Sequence, residues 1–315
     1  MTVKNYFFGL IFLSALFCTQ TCLPKKFNLP KPKTVVPPKA VTAPENVSKA
    51  MQLNNSNNVD FKNFSDAFNI PVSSDTKKYY SEIDKVDGWF DKRLIVILLL
   101  IDKYQEQNNI IGNLGEIGVW QGKSFIPLMH LAKSKQGELV LAADCFESVE
   151  FNRDNSGGLC AFKMFNNNVN KYCSKPDCMK VFKGDSYTCS ASDYLNAVGN
   201  GKGFRIFSID GCHEGPTTAK DMENAFNCLV DGGVIIMDDY FHWCWPGVSE
   251  GVNAYMNKNV DGLKPFLIAW NKVFFAHPQH AQKYFDTIKE VFIPQDVRAK
   301  KFFGVDTLIY DPQYQ

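Results

Sequence analysis

From residue 73 onward, short apolar runs alternate with stretches in which apolar residues recur at three- and four-residue spacing. The first kind predicts buried strands and the second predicts amphipathic helices. An opening segment at 79–89 precedes a helix over 91–107, with Leu94, Ile97, Leu98 and Ile101 on one face. Strands follow at 111–119, 139–143, 179–182, 205–209 and 233–237, with helices at 124–135, 190–198, 217–229 and 248–257 between and after them. An Asn-, Gly- and Cys-rich stretch at 146–178 looks like an insertion, and β-like runs at 266–275 and 303–310 close the chain. Strands alternating with helices predict an α/β fold, a doubly wound and mostly parallel sheet with helices on both faces.

The strand ends carry the chemistry. The first run passes through Gly115-Glu116-Ile117-Gly118-Val119-Trp120-Gln121-Gly122-Lys123-Ser124, a glycine turn that opens a helix. Glycine serves where the backbone needs positive φ or a ligand must come close. A strand, glycine turn and helix in that order hold nucleotide-like ligands at the carboxyl edge of such a sheet. Each strand of the series also ends in an acid: Glu116, Asp144, Asp185, Asp210, and Asp238 with Asp239. A parallel sheet lines these up along one edge, where they repel one another unless hydroxyl donors or a cation offset them. Asp144 suits the ribose hydroxyls of an adenosine. The turn reads E-x-G-x-x-x-G, not G-x-G-x-x-G, and so suits a compact zwitterion better than a pyrophosphate.

With 315 residues, 45% of them hydrophobic, the chain is long enough for one large domain or two modest ones. Its net charge of +1 gives no case for nucleic acid as a partner. The amino terminus reads as a separate segment. Lys4 and the apolar run 6–17 predict a signal peptide or uncleaved signal anchor over 1–22, the anchor being the only route to a membrane. Residues 23–72 read as a Pro- and Asn-rich linker or stalk, with Asn-x-Ser sequons at Asn46, Asn54 and Asn63, and 73–315 as the catalytic domain. Together these features point to a secretory-pathway lumen or secretion, or to a periplasm if the source is bacterial. Eight cysteines follow the leader, and in an exported chain they predict at least one disulfide, Cys173 with Cys178 being favoured.

Residues 116–124 resemble the first motif of class I S-adenosylmethionine-dependent methyltransferases. The resemblance continues through Phe207-Ser-Ile-Asp-Gly-Cys-His213, Asp231-Gly-Gly-Val-Ile-Ile-Met-Asp-Asp-Tyr240 and Trp245-Pro-Gly-Val248, and upstream through Asp87-Gly88-Trp89-Phe90. It is strongest for the small-molecule and sugar O-methyltransferase branch that includes macrocin-type enzymes, and more distant for catechol and caffeoyl-CoA enzymes. The resemblance implies S-adenosylmethionine as cofactor. Glu116, Gly118 and Gly122 would shape the methionine end of its pocket, Ser124 would cap the next helix, Asp144 would hold the ribose, and Asp185 and Ser186 would lie by the adenine. It further implies Mg²⁺ or another divalent cation on Asp210, Asp238 and Asp239, a ligand set of oxygens. His213 stands where catechol-like relatives carry a lysine base, and with Asp210 would form the catalytic pair. Tyr240, Trp243 and Trp245 would contact a small-molecule or glycan acceptor.

A lumenal enzyme of this kind needs an imported donor. A secreted carbohydrate-binding protein that kept the fold and lost the donor is the alternative from another class, and the intact acid set argues against it. A short-chain dehydrogenase would need a Tyr-x-x-x-Lys pair, and the chain has none. The sequence leaves open the acceptor's identity and whether the chain forms a homodimer.

Overall fold

A nine-stranded sheet organises the structure, with strand order β3-β2-β1-β4-β5-β7-β6-β9-β8. The computed structural model describes residues 60–154, 162–292 and 297–310, all within one compact unit. The leader, the stalk up to residue 59 and the sequons at Asn46 and Asn54 lie outside the described residues. The first five strands in space are parallel: β1 (Asn113–Ile117), β2 (Val140–Asp144), β3 (Met179–Lys183), β4 (Phe204–Ile209) and β5 (Leu229–Met237). A hairpin of β6 (Lys264–Ala269) and β7 (Lys272–Ala276) adds antiparallel to β5. Beyond it lie β9 (Val305–Tyr310), parallel to β6, and β8 (Val297–Phe302) on the edge.

Side-chain alternation explains why the central strands read as continuous apolar runs. Leu114, Val140, Ile206 and Val234 enter one core, and Ile117, Leu141, Phe207 and Ile235 enter the other. Successive strand residues face opposite sides, so a sheet covered on both faces needs apolar residues at every position. Helices α3 (Leu94–Gln107), α4 (Phe125–Leu131) and α9 (Pro278–Lys289) contribute to the first core. Helices α6 (Ala191–Val198), α7 (Gly215–Cys228) and α8 (Pro246–Lys258) contribute to the second. The chain runs outward from β1 to β3 and then returns to β4. The order therefore reverses between β1 and β4, where a crevice opens at the carboxyl ends.

Three expectations change. The linker expected to reach residue 72 is already folded at α1 (Phe61–Phe68), where Phe61 meets Tyr80 edge-on at 4.8 Å and Asp60 caps the helix. The aromatic spacing Phe61, Phe64, Phe68 gives this helix an apolar face, which a Pro- and Asn-rich surrounding composition hides. Second, the insertion-like stretch contains α5 (Phe162–Tyr172), with Phe165, Val169 and Tyr172 buried, after which α2 (Ser74–Glu82) completes the helical inventory. Third, no disulfide occurs among the described residues. Cys173 and Cys178 are free thiols, and Cys178 Sγ points to the Lys175 carbonyl at 3.1 Å. No helix among the described residues is long and apolar enough to cross a membrane.

Away from the crevice, Arg205 is buried at the amino end of β4. Its guanidinium donates to both Glu138 carboxylate oxygens at 2.9 and 3.0 Å and to Gln105 at 2.7 Å, and pairs with Asp102 at 2.9 Å. This network ties α3 to the sheet. Removing one partner of a buried pair strands the others without compensation. Arg205→Met should therefore lower the unfolding free energy by about 3–5 kcal/mol in urea titrations, with part of the loss recovered by adding Glu138→Gln.

Candidate active site

The crevice is a cavity of about 570 Å³ whose walls come from the ends of β1, β2, β4 and β5 and from the loops after them. Gly118 closes β1 with φ of +81°, and a side chain there would collide with the Asp210 carbonyl. The two strand ends approach so closely that only glycine fits. Beyond it the turn holds Trp120 at φ +47°, an uncommon conformation for a bulky residue. That bend aims the Trp120 amide at Asp144 Oδ2 (3.0 Å), while the Phe146 amide donates to Oδ1 (2.5 Å). Burial raises the pKa of Asp144, although these amides favour its charged form. Asp144 is thus a carboxylate fixed by backbone on the cavity wall.

Asp185 and Ser186 also line the cavity. Asp185 pairs with Arg153 at 2.5 Å and accepts from the Tyr187 amide at 3.0 Å. The Ser186 hydroxyl donates to Asp221 at 3.1 Å. Gly122, with φ of +90°, sits against the Phe165 ring and is not part of the cavity wall.

Glu116 and Ser124 are corrected. Glu116 shares a sheet face with Leu114 and lies beside Ser208 in register, so it points into the layer of α3 and α4 and away from the cavity. It is buried, accepts from Ser208 Oγ at 3.0 Å, and burial pushes its pKa up to about 8. Ser124 stands at the N-cap position of α4 but makes no side-chain cap. It lines the small inner cavity together with the buried Glu116, whose Oε2 has no hydrogen-bond partner among the described residues.

The expected cation set is also redrawn. Asp238 lines the cavity wall but is 4% exposed and forms an ion pair with the buried Lys272 Nζ. Asp210 and Asp239 remain half-buried at the cavity, and His213 joins them. One donor atom from each of Asp210, His213 and Asp239 lies within 4.8 Å of the others, an arrangement able to hold a divalent ion. Asp239, at φ +56°, accepts from Asn271 Nδ2 at 2.6 Å through Oδ1 and faces His213 Nε2 at 3.3 Å through Oδ2. Burial raises the pKa of Asp210.

His213 is held on three sides. Asp154 Oδ2 meets both its backbone amide and its Nδ1 at 2.7 Å, and the ring stacks on Trp245 at 4.2 Å with planes 17° apart. Burial by itself lowers its pKa, but the bonds to Asp154 and Asp239 outweigh it and push the value up to about 9. Without a bound cation His213 is therefore protonated near neutral pH, which corrects the expectation of a free imidazole base.

The acceptor residues divide. Trp245 lines the cavity. Trp243 is 88% exposed and outside it, and Tyr240 turns inward to bond Asn253 at 2.8 Å and pack on Phe302. Trp89, 84% exposed, also lines the cavity, beside Trp120. Arg153, Asp154, Asn271 and Lys272 were not singled out from sequence. Only Lys272 had a usable signal, as a lone charge in the otherwise apolar strand 272–276.

Two outcomes follow from this geometry. Gly118→Ala should unseat β1 from β4 and weaken ligand binding in the cavity by at least about 100-fold, or about 2.7 kcal/mol, in titration calorimetry. In buffer free of divalent ions, the His213 ring should titrate near 9 by NMR, and Asp154→Asn should return it toward about 6.5. Because the folded value is raised, the stability this group contributes is complete below about 6.5 and is lost as pH rises through 9.

Residues 116–240 match the family model of a methyltransferase domain. None of the curated proteins matches the chain. Among solved structures, the O-methyltransferase NovP is 16% identical, with 61% of this chain and 83% of that one covered and a TM-score of 0.48. An O-methyltransferase from Bacillus cereus in complex with SAH is 15% identical, with 67% and 94% covered and a TM-score of 0.41. TomG from Streptomyces achromogenes, an O-methyltransferase of tomaymycin synthesis in complex with SAM, is 13% identical, with 71% and 98% covered and a TM-score of 0.43. The assignment rests on the family match and on the motifs it spans, from Glu116 through Asp144 and Asp210 to Tyr240. Residues 116–240 of this chain are therefore similar to a methyltransferase domain, as the sequence motifs imply.

Proposed function

We propose that the protein is an S-adenosylmethionine-dependent O-methyltransferase acting on a hydroxyl of a sugar, glycan or other small molecule. The observation that carries this reading is Asp144, held by two backbone amides on the wall of a large cavity where the strand order reverses. That is the place and the acceptor chemistry for ribose hydroxyls. Gly118 leaves the backbone bare where the amino-acid end of the donor would lie, and Asp185 and Ser186 stand on the adenine side. S-adenosylmethionine, when bound, supplies a methyl group on a sulfonium centre.

On the acceptor side, Trp245 and Trp89 on the cavity wall offer apolar ring surface to an acceptor. Asp210 and Asp239 fit a divalent cation such as Mg²⁺, which would supply Lewis acidity to neighbouring acceptor oxygens and draw Asp239 away from His213. His213, relieved of that carboxylate, presents Nε2 to the cavity while Asp154 keeps the proton on Nδ1. Nε2 would then accept the acceptor's hydroxyl proton, and the bound donor would supply the methyl group to that oxygen. The leader and stalk read from the sequence would put this chemistry in the secretory pathway.

Calorimetry with S-adenosylmethionine should give micromolar binding that Asp144→Ala weakens at least about 10-fold, or about 1.4 kcal/mol. No binding to the folded protein overturns the methyltransferase reading. With labelled donor and a panel of sugars and catechols, His213→Ala should cut turnover about 10²–10⁴-fold while donor affinity stays within about 2-fold. In divalent-free buffer the residual rate should climb with pH toward 9, because His213 must first lose its proton.

A further inference from the structure

The β6–β7 hairpin enters the site from outside the matched methyltransferase domain, and it treats the two consecutive acids differently. Its strands meet across the two-residue turn Trp270-Asn271, with Trp270 at φ +55° under the Arg93 guanidinium at 4.7 Å. The antiparallel register pairs Met237 with Val273, so the next position sets Asp238 opposite Lys272. Both side chains are 4% exposed and their charges meet directly. Asp238 spends its other oxygen on the Asp239 amide at 2.8 Å. Lys272 reaches inward past the Phe90 ring, 5.8 Å away, and also lines the small inner cavity that holds Glu116. Asn271, one residue earlier, lines the large cavity and donates to Asp239 at 2.6 Å.

We propose that this hairpin sorts the acid pair: Lys272 is a built-in counter-cation that neutralises Asp238 on the cavity wall, and Asn271 presents Asp239 to the cavity. Cation binding at the site then falls to Asp210 and Asp239, with His213 beside them, and Asp238 takes no part. Lys272 is a positioning residue, since it touches Asp238 and lines the small inner cavity, not the large one. The physical reason is charge. Three free carboxylates around one small site would repel one another, and a fixed ammonium ion removes one of them from the count without needing a bound metal. This inference rests on the cation site proposed above and extends it to the residues that set its composition.

The test is Mn²⁺ binding to the purified full-length protein, read by the EPR signal of free Mn²⁺, so that no turnover is needed. Asp238→Asn should change the dissociation constant by less than about 3-fold, whereas Asp239→Asn and Asp210→Asn should raise it at least about 30-fold. Lys272→Met should tighten Mn²⁺ binding by about 10-fold or more by releasing Asp238, and Lys272→Met/Asp238→Asn should abolish that gain. If the wild-type protein binds no Mn²⁺ but Lys272→Met does, the sorting role is supported. If neither binds, or if Asp238→Asn weakens binding as much as Asp239→Asn, the proposal is overturned. Should Lys272→Met fail to fold, the comparison of Asp238→Asn with Asp239→Asn decides the question alone. S-adenosylhomocysteine affinity, measured on the same samples, separates this result from the methyltransferase reading, because its loss in the wild-type protein would count against that reading and leave the Mn²⁺ comparison standing.

Discussion

A carboxylate removed from water must be met by donors or by a cation, and the ends of five parallel strands bring several of them to one edge. Five acids of the row are each answered by a different device. Asp144 has two backbone amides, Asp185 has Arg153, Asp238 has Lys272, and Asp239 has Asn271 and His213. Glu116 has the hydroxyl of Ser208. The residues that answer come from the first turn, from the segment before α5 and from the β6–β7 hairpin. The site is therefore complete only when elements far apart in sequence have packed together.

The sheet also divides its acids between two compartments. Side chains alternate along a strand, so Glu116 and the backbone turn that follows it serve opposite needs. Glu116 looks into the α3 and α4 layer and helps seat the inner end of the sheet, and Gly118, two residues on, opens the cavity by having no side chain. Lys272 sits at the boundary between the compartments, against Asp238 and near Glu116. Its charge balances both sides. This explains why one motif, read as a single ligand-binding loop, contains residues with different duties.

The acid row changes the meaning of His213 in the same way. An exposed imidazole beside a cavity would be neutral near physiological pH. Asp154 and Asp239 turn it into a cation, so in this state it offsets their charge. Its availability as a proton acceptor depends on what Asp239 is paired with, which couples acid–base chemistry at the site to cation occupancy.

The sequence by itself determined the strand–helix alternation, the glycine turn and the placing of an acid at each strand end. These follow from local periodicity and from backbone conformations that few residues tolerate. Asp144, Asp210 and Gly118 were legible for that reason. The sequence could not show that α1 begins at Phe61, because its three aromatics sit in a polar, asparagine-rich neighbourhood. Nor could it show which acids stay available, since charge pairing depends on what lies across the sheet. Asp238 and Asp239 are adjacent and chemically alike, yet one faces Lys272 across an antiparallel register and the other faces His213 and Asn271. Only the tertiary structure decided that difference, because it is set by contacts between residues more than twenty positions apart.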